Sequence, residues 1–470
     1  MSGPAKNFPD AARAALEDVG LQTALTNLKQ GFQVKRAHAM AALPDPHGLR
    51  EAGAAIREDA LARLGDLLEQ FEASVQKSGG HVHWARDADE ARTLIGKLLK
   101  DRGVKTVTKG KSMVSEEIEL NPYLNTLGIT PVETDLGEYI IQLRNEPPSH
   151  IVAPAFHLRR QDVEESFRAA HTELDAGRAL SERSALVAEA RGIMRHHFEA
   201  ADAGITGANF LVAESGTAIV VTNEGNGDLT RLLPKLHIVV TGIEKVVPTL
   251  GYASVLLRLL TRAATGQDIT SYVTFSSSPR KSEDADGPSE FHVVLVDNGR
   301  SRLLASPVWE VLKCIRCGAC LNHCPVYGAV GGHAYGAVYP GPIGAALNPG
   351  LEGAAKHPDL PQASSFCGRC DEVCPVKIPL TRTMRHWRNE AFQQGLGSPA
   401  IVRGLRLWAY LAEHPVFYRL SSRVARIALR LIAGRKGSLA KLPYLQGWFG
   451  ARDLPRPAKA SFQAQWKAKR

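Results

Sequence analysis

Two cysteine strings decide this chain: Cys314-Ile-Arg-Cys317-Gly-Ala-Cys320-Leu-Asn-His-Cys324-Pro325 and Cys367-Gly-Arg-Cys370-Asp-Glu-Val-Cys374-Pro375. They hold all 7 cysteines of a 470-residue protein. The first reads C-x2-C-x2-C-x3-C-P and the second C-x2-C-x3-C-P. Thiolates at these spacings wrap three corners of an iron–sulfur cube from one loop, and the cysteine before the proline reaches the other cube. The pattern implies two [4Fe–4S] clusters. Cys314, Cys317, Cys320 and Cys374 serve cluster 1, and Cys324, Cys367 and Cys370 serve cluster 2. The position that would complete cluster 2 by symmetry holds Ser364. Ser364, Ser365 and solvent are candidates for that place, and a [3Fe–4S] centre is the other solution. An odd number of cysteines argues against a disulfide framework. Zinc ribbons use pairs of cysteines rather than a run of three.

The bulk composition is that of a soluble protein, with 44% hydrophobic and 22% charged residues. Its net charge of +9 is spread along the chain with an excess near the end. Such a balance suits an acidic partner or anionic lipid, and no nucleic-acid motif accompanies it. Neither a signal-type apolar run near Met1 nor an uncharged stretch of spanning length is present. Iron–sulfur assembly requires a reducing space, so the expectation is a cytoplasmic protein, with the inner face of the membrane as a peripheral option.

Working outward, residues 1–48 read as a leader, with helical spacing over Ala11–Asn27 and an irregular connection over Gln33–His47. Leu49–Ser78 carries one amphipathic stripe, Ile56, Leu61, Leu64, Leu67, Leu68 and Phe71, and is predicted as one long helix. An α/β rhythm follows over 49–300. Strands are predicted at His81–Trp84, Val104–Thr108, Ile129–Glu133, Tyr139–Leu143, Asn209–Val212, Ala218–Thr222, His237–Thr241, Tyr272–Phe275 and Phe291–Val296. Helices fall at Asp87–Leu99 and in Arg160–Met194. Alternation of this kind predicts a mostly parallel sheet covered on both faces. The two-cluster module spans 301–385 and includes a Gly-rich excursion, Gly328–Pro361, that packs over the clusters or meets a partner. The remainder, 386–470, is helical. Ile401–Ala433 sets Arg403, Arg406, Arg419, Arg423, Arg426 and Arg430 beside apolar residues, which suits packing on the protein or a partner subunit, or a membrane surface.

The chain resembles the lactate utilization protein B family, the iron–sulfur subunit of a bacterial L-lactate oxidation system. The resemblance is carried by Lys109–Glu117, Glu133–Ile140, Ser149–His157, Ala213–Thr217, Asn223–Asp228, the cysteine strings and Gly450–Arg456. It implies an N-terminal α/β domain like sugar-phosphate isomerases and CoA-transferases, then a ferredoxin-like α-helical two-cluster insert and a family-specific C-terminal helical region. It implies conversion of L-lactate to pyruvate during growth on lactate, with electrons passed through this subunit. Sibling subunits are the implied partners, and a quinone or cytochrome the candidate acceptor.

Other residues give weaker signals, and no catalytic residue is fixed. Lys109 and Lys111, at a strand end before a helix, suit a carboxylate or phosphate, or a solvated turn. Glu133, Asp135 and Glu138 form an acidic cluster near a strand end, in which Asp135 and Glu138 are candidates for a helix cap or a metal. His150 and His157 are candidates for taking the lactate hydroxyl proton, or are core histidines. Glu214-Ser-Gly-Thr217 resembles the Glu-centred turn of CoA-transferases, with the pocket retained and not the transferase chemistry. Asn223–Asp228 either covers that pocket or forms a tight turn. Lys313, Arg316, Arg369 and Lys377 place positive charge beside the clusters and should raise their potentials. No G-x-G-x-x-G follows a strand, so no Rossmann-type nicotinamide or flavin site is expected. The reading is an electron-transfer subunit, not an enzyme on its own. Its alternative is a redox- or ligand-sensing module with a small-acid-binding α/β domain.

Overall fold

A computed structural model describes residues 7–434, 437–440, 442, 449 and 452–469. Gly450 and Ala451 of the C-terminal family stretch lie outside the described residues, as do residues 1–6. The chain forms two compact units, one ending at Ala391 and the other beginning at Phe392.

The first unit is built on a parallel sheet. Its strands are β1 (His81–Ala85), β2 (Thr106–Lys109), β3 (Thr130–Glu133), β4 (Ala203–Thr206), β7 (Leu236–Gly242) and β10 (Glu290–Val296), in the order β1-β10-β7-β4-β2-β3. β7 and β10 are near-continuous apolar runs because both of their faces are buried. Their register pairs His237 with Phe291 and Val240 with Val294. β5 (Phe210–Val212), β6 (Thr217–Thr222), β8 (Val246–Val247) and β9 (Tyr272–Ser276) form a second sheet in the order β8-β5-β6-β9, with antiparallel β5–β6 and β6–β9 pairs. After β2 the chain runs outward to β3 and then returns to the other side of β2 as β4. Ligands bind at the carboxyl ends of strands where such a reversal occurs.

Several local expectations change. Tyr139–Leu143 is helix, within Leu136–Leu143. Asp135 accepts hydrogen bonds from the Gly137 and Glu138 N–H groups, so a cap overrides the strand-like run Tyr-Ile-Ile. The segment 49–78 is two helices, Pro46–Ala62 and Leu64–Lys77, broken at Arg63, which leaves helical geometry. The helical region 160–194 is also two helices, Arg160–Ala170 and Arg183–Ala200. Val34–Ala41 is helix where an irregular connection is expected. It and its neighbours are held to the cysteine region: Gln22 donates to the Ala329 carbonyl, Gln33 to that of Asn322 and Arg36 to that of Val373. β4 and β8 are additional strands; the Ala-Gly start of Ala-Gly-Ile-Thr is a weak strand former, and β4 forms between β2 and β7, which enclose it.

One apolar core joins the α/β layers to the cysteine region. It contains Phe210, Ile219, Leu256 and Leu260 together with Val311, Ile315, Leu321, Ile343 and Met384. The Gly-rich excursion contributes the helix Gly341–Glu352, nearly all buried. The second unit has helices Pro399–Glu413 and Pro415–Ala433, so the expected single stretch breaks at His414. Among its exposed apolar residues are Ile401, Trp408, Val416, Leu420 and Ile432. Among the described residues, no helix is long and apolar enough to cross a membrane.

Close packing at β4 makes a direct test. A Cβ at Gly204 would stand 1.8 Å from the Thr230 carbonyl oxygen. Gly204→Ala is expected to lower stability by about 1–3 kcal/mol, as overpacking does. A denaturant midpoint equal to that of the parent protein would contradict this packing.

Candidate metal centre and the cavity beside it

The two cysteine strings fold as copies of one loop. In the first, Arg316 (φ 59°) and Gly318 (φ 72°) are left-handed, and a short helix, Ala319–Asn322, follows. In the second, Phe366 (φ 54°) and Gly368 (φ 79°) take the same places before the helix Arg369–Val373. Left-handed backbone turns successive N–H groups toward one point. The Arg316 N–H donates to the Cys314 sulfur at 3.4 Å, and at the matching step the Phe366 N–H donates to the Ser364 Oγ at 3.1 Å. Ser364 is half-buried, whereas Ser365 is exposed. The prolyl turns add Tyr327 N–H to the Cys324 sulfur (3.5 Å) and Ile378 N–H to that of Cys374 (3.3 Å).

The sulfurs fall into two groups. Cys314, Cys317, Cys320 and Cys374 lie within electrostatic reach of one another and line one small cavity walled by Ile151, Ile343, Val376, Ile378 and Leu380. Cys324 lies beside Cys367 and Cys370. Cys320 also feels Cys370, and buried Tyr335 stands near Cys324, Cys320 and Cys370, so the groups adjoin. Burial, with the neighbouring cysteines, pushes the Cys317 thiol up to about 12, and the Cys374 thiol to about 11. Burial favours the neutral thiols there, so a metal group that binds thiolates would have to offset that cost. Among the described residues no three His, Cys, Asp or Glu side chains are grouped to hold a single metal ion; the four sulfurs instead ring a cavity. The N–H···S bonds and apolar walls fit an iron–sulfur group.

Buried charge surrounds the first group. Arg316 donates to Glu244 at 3.2 Å, and Glu244 accepts from Arg300 at 2.6 Å. Arg300 also pairs with Glu117 at 2.8 Å, and the Arg316 guanidinium lies 4.8 Å from the Tyr339 ring centroid. Burial disfavours the Glu244 carboxylate, but Arg300 and Arg316 more than offset it and hold its pKa down to about 2. Burial opposes charge on Arg316 as well, and Cys314, Tyr339 and Glu244 outweigh it. Arg57, fully buried, donates to the carbonyls of Val246 (3.1 Å), Leu312 (3.2 Å) and Lys313 (3.3 Å). Arg50 donates to the carbonyls of Glu372 (2.6 Å) and Cys374 (2.8 Å). Of the four cations expected near the clusters, Arg316 and Lys313 are buried. Arg369 is exposed and paired with Glu372, and Lys377 with Glu51. Arg36, Arg50, Arg57 and Lys245 carry no sequence signal for this role, since none neighbours a cysteine in the chain.

A cavity of about 600 Å³ opens at the carboxyl ends of β2, β3, β4 and β7. Gly110–Ser112, Asp135–Gly137, Thr206–Asn209, Asn223, Glu224, Asn226, Thr241 and Lys245 line it, and Arg316, Ile151 and Tyr339 close it on the side of the cysteine loop. Arg316 and Ile151 also line the four-sulfur cavity, so they form a common wall. Burial, with Arg316 alongside, lowers the Lys245 ammonium to about 7.

The sequence candidates divide around this cavity. Lys111 lines it, as do Asn223, Glu224, Asn226 and Gly227 of the turn-rich loop. Lys109 instead is buried against Glu133 (2.7 Å) and Glu116 (3.3 Å). Asp135 caps its helix, and burial with Glu133 and Glu116 nearby raises the Glu138 carboxyl to about 8. His150, His157 and Glu214 are not among the lining residues. His150 Nδ1 accepts from the N–H groups of Val152 and Ala153, each at 3.1 Å, and its Nε2 meets Asn322 Oδ1 at 2.9 Å. Burial lowers its pKa to about 4. His157 bridges Ser149 (2.9 Å) and Glu146 (2.8 Å), while Glu214 accepts from the Leu250 N–H at 2.7 Å.

Fold and centre together define an iron–sulfur protein of α/β type: residues 68–296 match the LUD domain, and residues 310–378 match the 4Fe-4S dicluster domain. Residues 393–470 match the C-terminal region of lactate utilisation protein B. Lactate utilization protein B of Bacillus pumilus (strain SAFR-032) is 42% identical over 470 residues, 99% of this chain and 98% of its own. The uncharacterized electron transport protein YkgF of Escherichia coli (strain K12) is 40% identical over 463 residues, 98% of this chain and 96% of its own. A crystal structure of a DUF162 family protein from Deinococcus radiodurans aligns with 50% of this chain and 98% of its own, at 16% identity and a TM-score of 0.29. The chain belongs to the lactate utilization protein B family.

The placement of the cations gives a paired test. Arg316→Gln removes a buried positive charge beside Cys314 and is expected to lower the midpoint of that centre, by ~59 mV for each ~1.4 kcal/mol of lost interaction. Arg369→Gln removes an exposed, paired charge beside Cys370 and is expected to shift the midpoint of the second centre little. Redox titration followed by EPR checks both; equal shifts would contradict the assigned environments.

Proposed function

We propose that this chain is the iron–sulfur electron-transfer subunit of a complex that oxidises L-lactate to pyruvate and so supports growth on lactate. The observation that supports the reading is the gathering of cysteine sulfurs from two separate strings into two adjoining groups. Cys314, Cys317, Cys320 and Cys374 hold the first cluster. Cys324, Cys367 and Cys370 hold the second, and Ser364 completes it, because its Oγ occupies the step that the Cys314 sulfur occupies in the sister loop. Lactate oxidation releases two electrons and two protons, and a pair of adjacent clusters supplies two one-electron acceptors.

The protein's own groups divide the remaining work. Apolar side chains keep water from the first sulfur group, and Arg316 and Arg36 place positive charge beside it. Exposed Cys367 puts the second centre at the surface, where an acceptor protein or a quinone can approach. The name of the Escherichia coli relative, an electron transport protein, agrees with this role. The relatives named lactate utilization protein B agree with lactate as the substrate. The working division is an α/β domain over 49–300 preceded by 1–48, a cluster module over 301–385 and a C-terminal region over 386–470. The exposed apolar and arginine-bearing helices of that last region offer sibling subunits a surface.

Two measurements test the reading. With sibling subunits present, L-lactate should reduce both centres anaerobically; EPR spectra unchanged by lactate would contradict the function. Separately, Ser364→Ala should convert the second centre to a three-iron form with a signal in the oxidised protein, whereas Ser364→Cys should retain four irons. Identical spectra for Ser364→Ala and the parent would remove Ser364 from the ligand set.

A further inference from the structure

The cavity beside the first cysteine loop holds polar groups that nothing in the protein satisfies. Thr241 Oγ1, Asn226 Oδ1 and Arg316 Nη1 are buried without a hydrogen-bond partner. All three residues line the cavity. Thr241 is 1% exposed and Asn226 7%, so bulk water does not serve them. A buried polar group left unmade costs about 1–3 kcal/mol, and three in one cavity mark a place where a ligand completes the bonding.

Charge narrows the class of ligand. Lys111, Lys245 and Arg316 face the cavity, against the carboxylates Asp135 and Glu224. Asp135 is already engaged with the Gly137 and Glu138 N–H groups. Arg316 is held by Glu244 through Nη2 and over Tyr339, which leaves Nη1 as the free edge. No ion pair joins Lys245 or Lys111 to a carboxylate within 4.0 Å among the described residues. The volume, about 600 Å³, is that of a pocket for a ligand with a body larger than lactate. Phe32 and Phe156 supply an apolar wall for such a body.

We propose that this cavity binds an organic oxyanion, a carboxylate or phosphate on an apolar body, with its anionic group on Lys111, Lys245 and Arg316 and its polar atoms on Thr241 and Asn226. Because Arg316 also walls the four-sulfur cavity, the bound anion lies one side chain from the first centre and changes its electrostatic surroundings. The inference stands on the cavity itself and does not require that lactate be the substrate of the complex.

Anaerobic calorimetric titration of the full, cluster-loaded chain tests it, with phenylpyruvate, phenyl phosphate, pyruvate and inorganic phosphate as probes. Either aryl probe should bind at millimolar concentration or below and shift the EPR signal of the reduced first centre. Tighter binding by phenylpyruvate identifies a carboxylate ligand, and by phenyl phosphate a phosphorylated one. Lys111→Gln and Thr241→Val should each weaken binding about tenfold. Both variants should keep the parent's iron content and ligand-free EPR spectrum, so a folding failure is recognised at once. No binding by any probe, or binding unchanged in both variants, would overturn the proposal while leaving the electron-transfer reading intact.

Discussion

Glu244 is the constraint on which the arrangement depends. It lies just past β7, fully buried, and joins Arg300 on one side to Arg316 on the other. A charge so placed needs its partners: removing one from a buried pair costs about 3–5 kcal/mol. The consequence is positional. Arg316 is fixed to the end of the parallel sheet, and Cys314 and Cys317 on either side of it are fixed with it. Arg300 carries the connection onward to Glu117, which also accepts from the Tyr339 hydroxyl at 2.7 Å. Thus the sheet, the first cysteine loop and the Gly-rich excursion share one buried network.

That network sets the relation between the two cavities. The reversal of strand order at β2 and β4 leaves a crevice at the carboxyl ends of the strands. In this chain the crevice is closed by the cysteine loop instead of by another βα turn. Arg316 and Ile151 stand between the crevice and the sulfur cavity. Charge brought into one is therefore felt in the other. The second sulfur group adjoins the first through Cys320 and Cys370, with Cys367 exposed.

The cysteines were the most legible part of the sequence, because ligand spacing within a loop is a local property. The mostly parallel sheet was legible from the alternation of strands and helices over 49–300. Tyr139–Leu143 is helix because its β-forming residues are outweighed by the Asp135 cap, a signal four residues upstream. His150, Lys109 and Glu214 have the chemistry of a site, but each is engaged by neighbours that lie elsewhere in the chain, and only tertiary structure reveals them. Glu244 and Lys245 carry no sequence signal either, and only tertiary structure shows them buried. The cavity draws on the ends of four strands and on Arg316, about two hundred residues beyond the first of them, so no local pattern encodes it.

The central claim is that the two strings exchange cysteines between adjoining clusters. EPR of the anaerobically purified, dithionite-reduced protein, with iron and sulfide counts on the same sample, tests it most directly. The account predicts about eight irons per chain and signals broadened by spin coupling between two nearby [4Fe–4S] centres. A single uncoupled cluster, or cysteines occupied by zinc without iron, would contradict it.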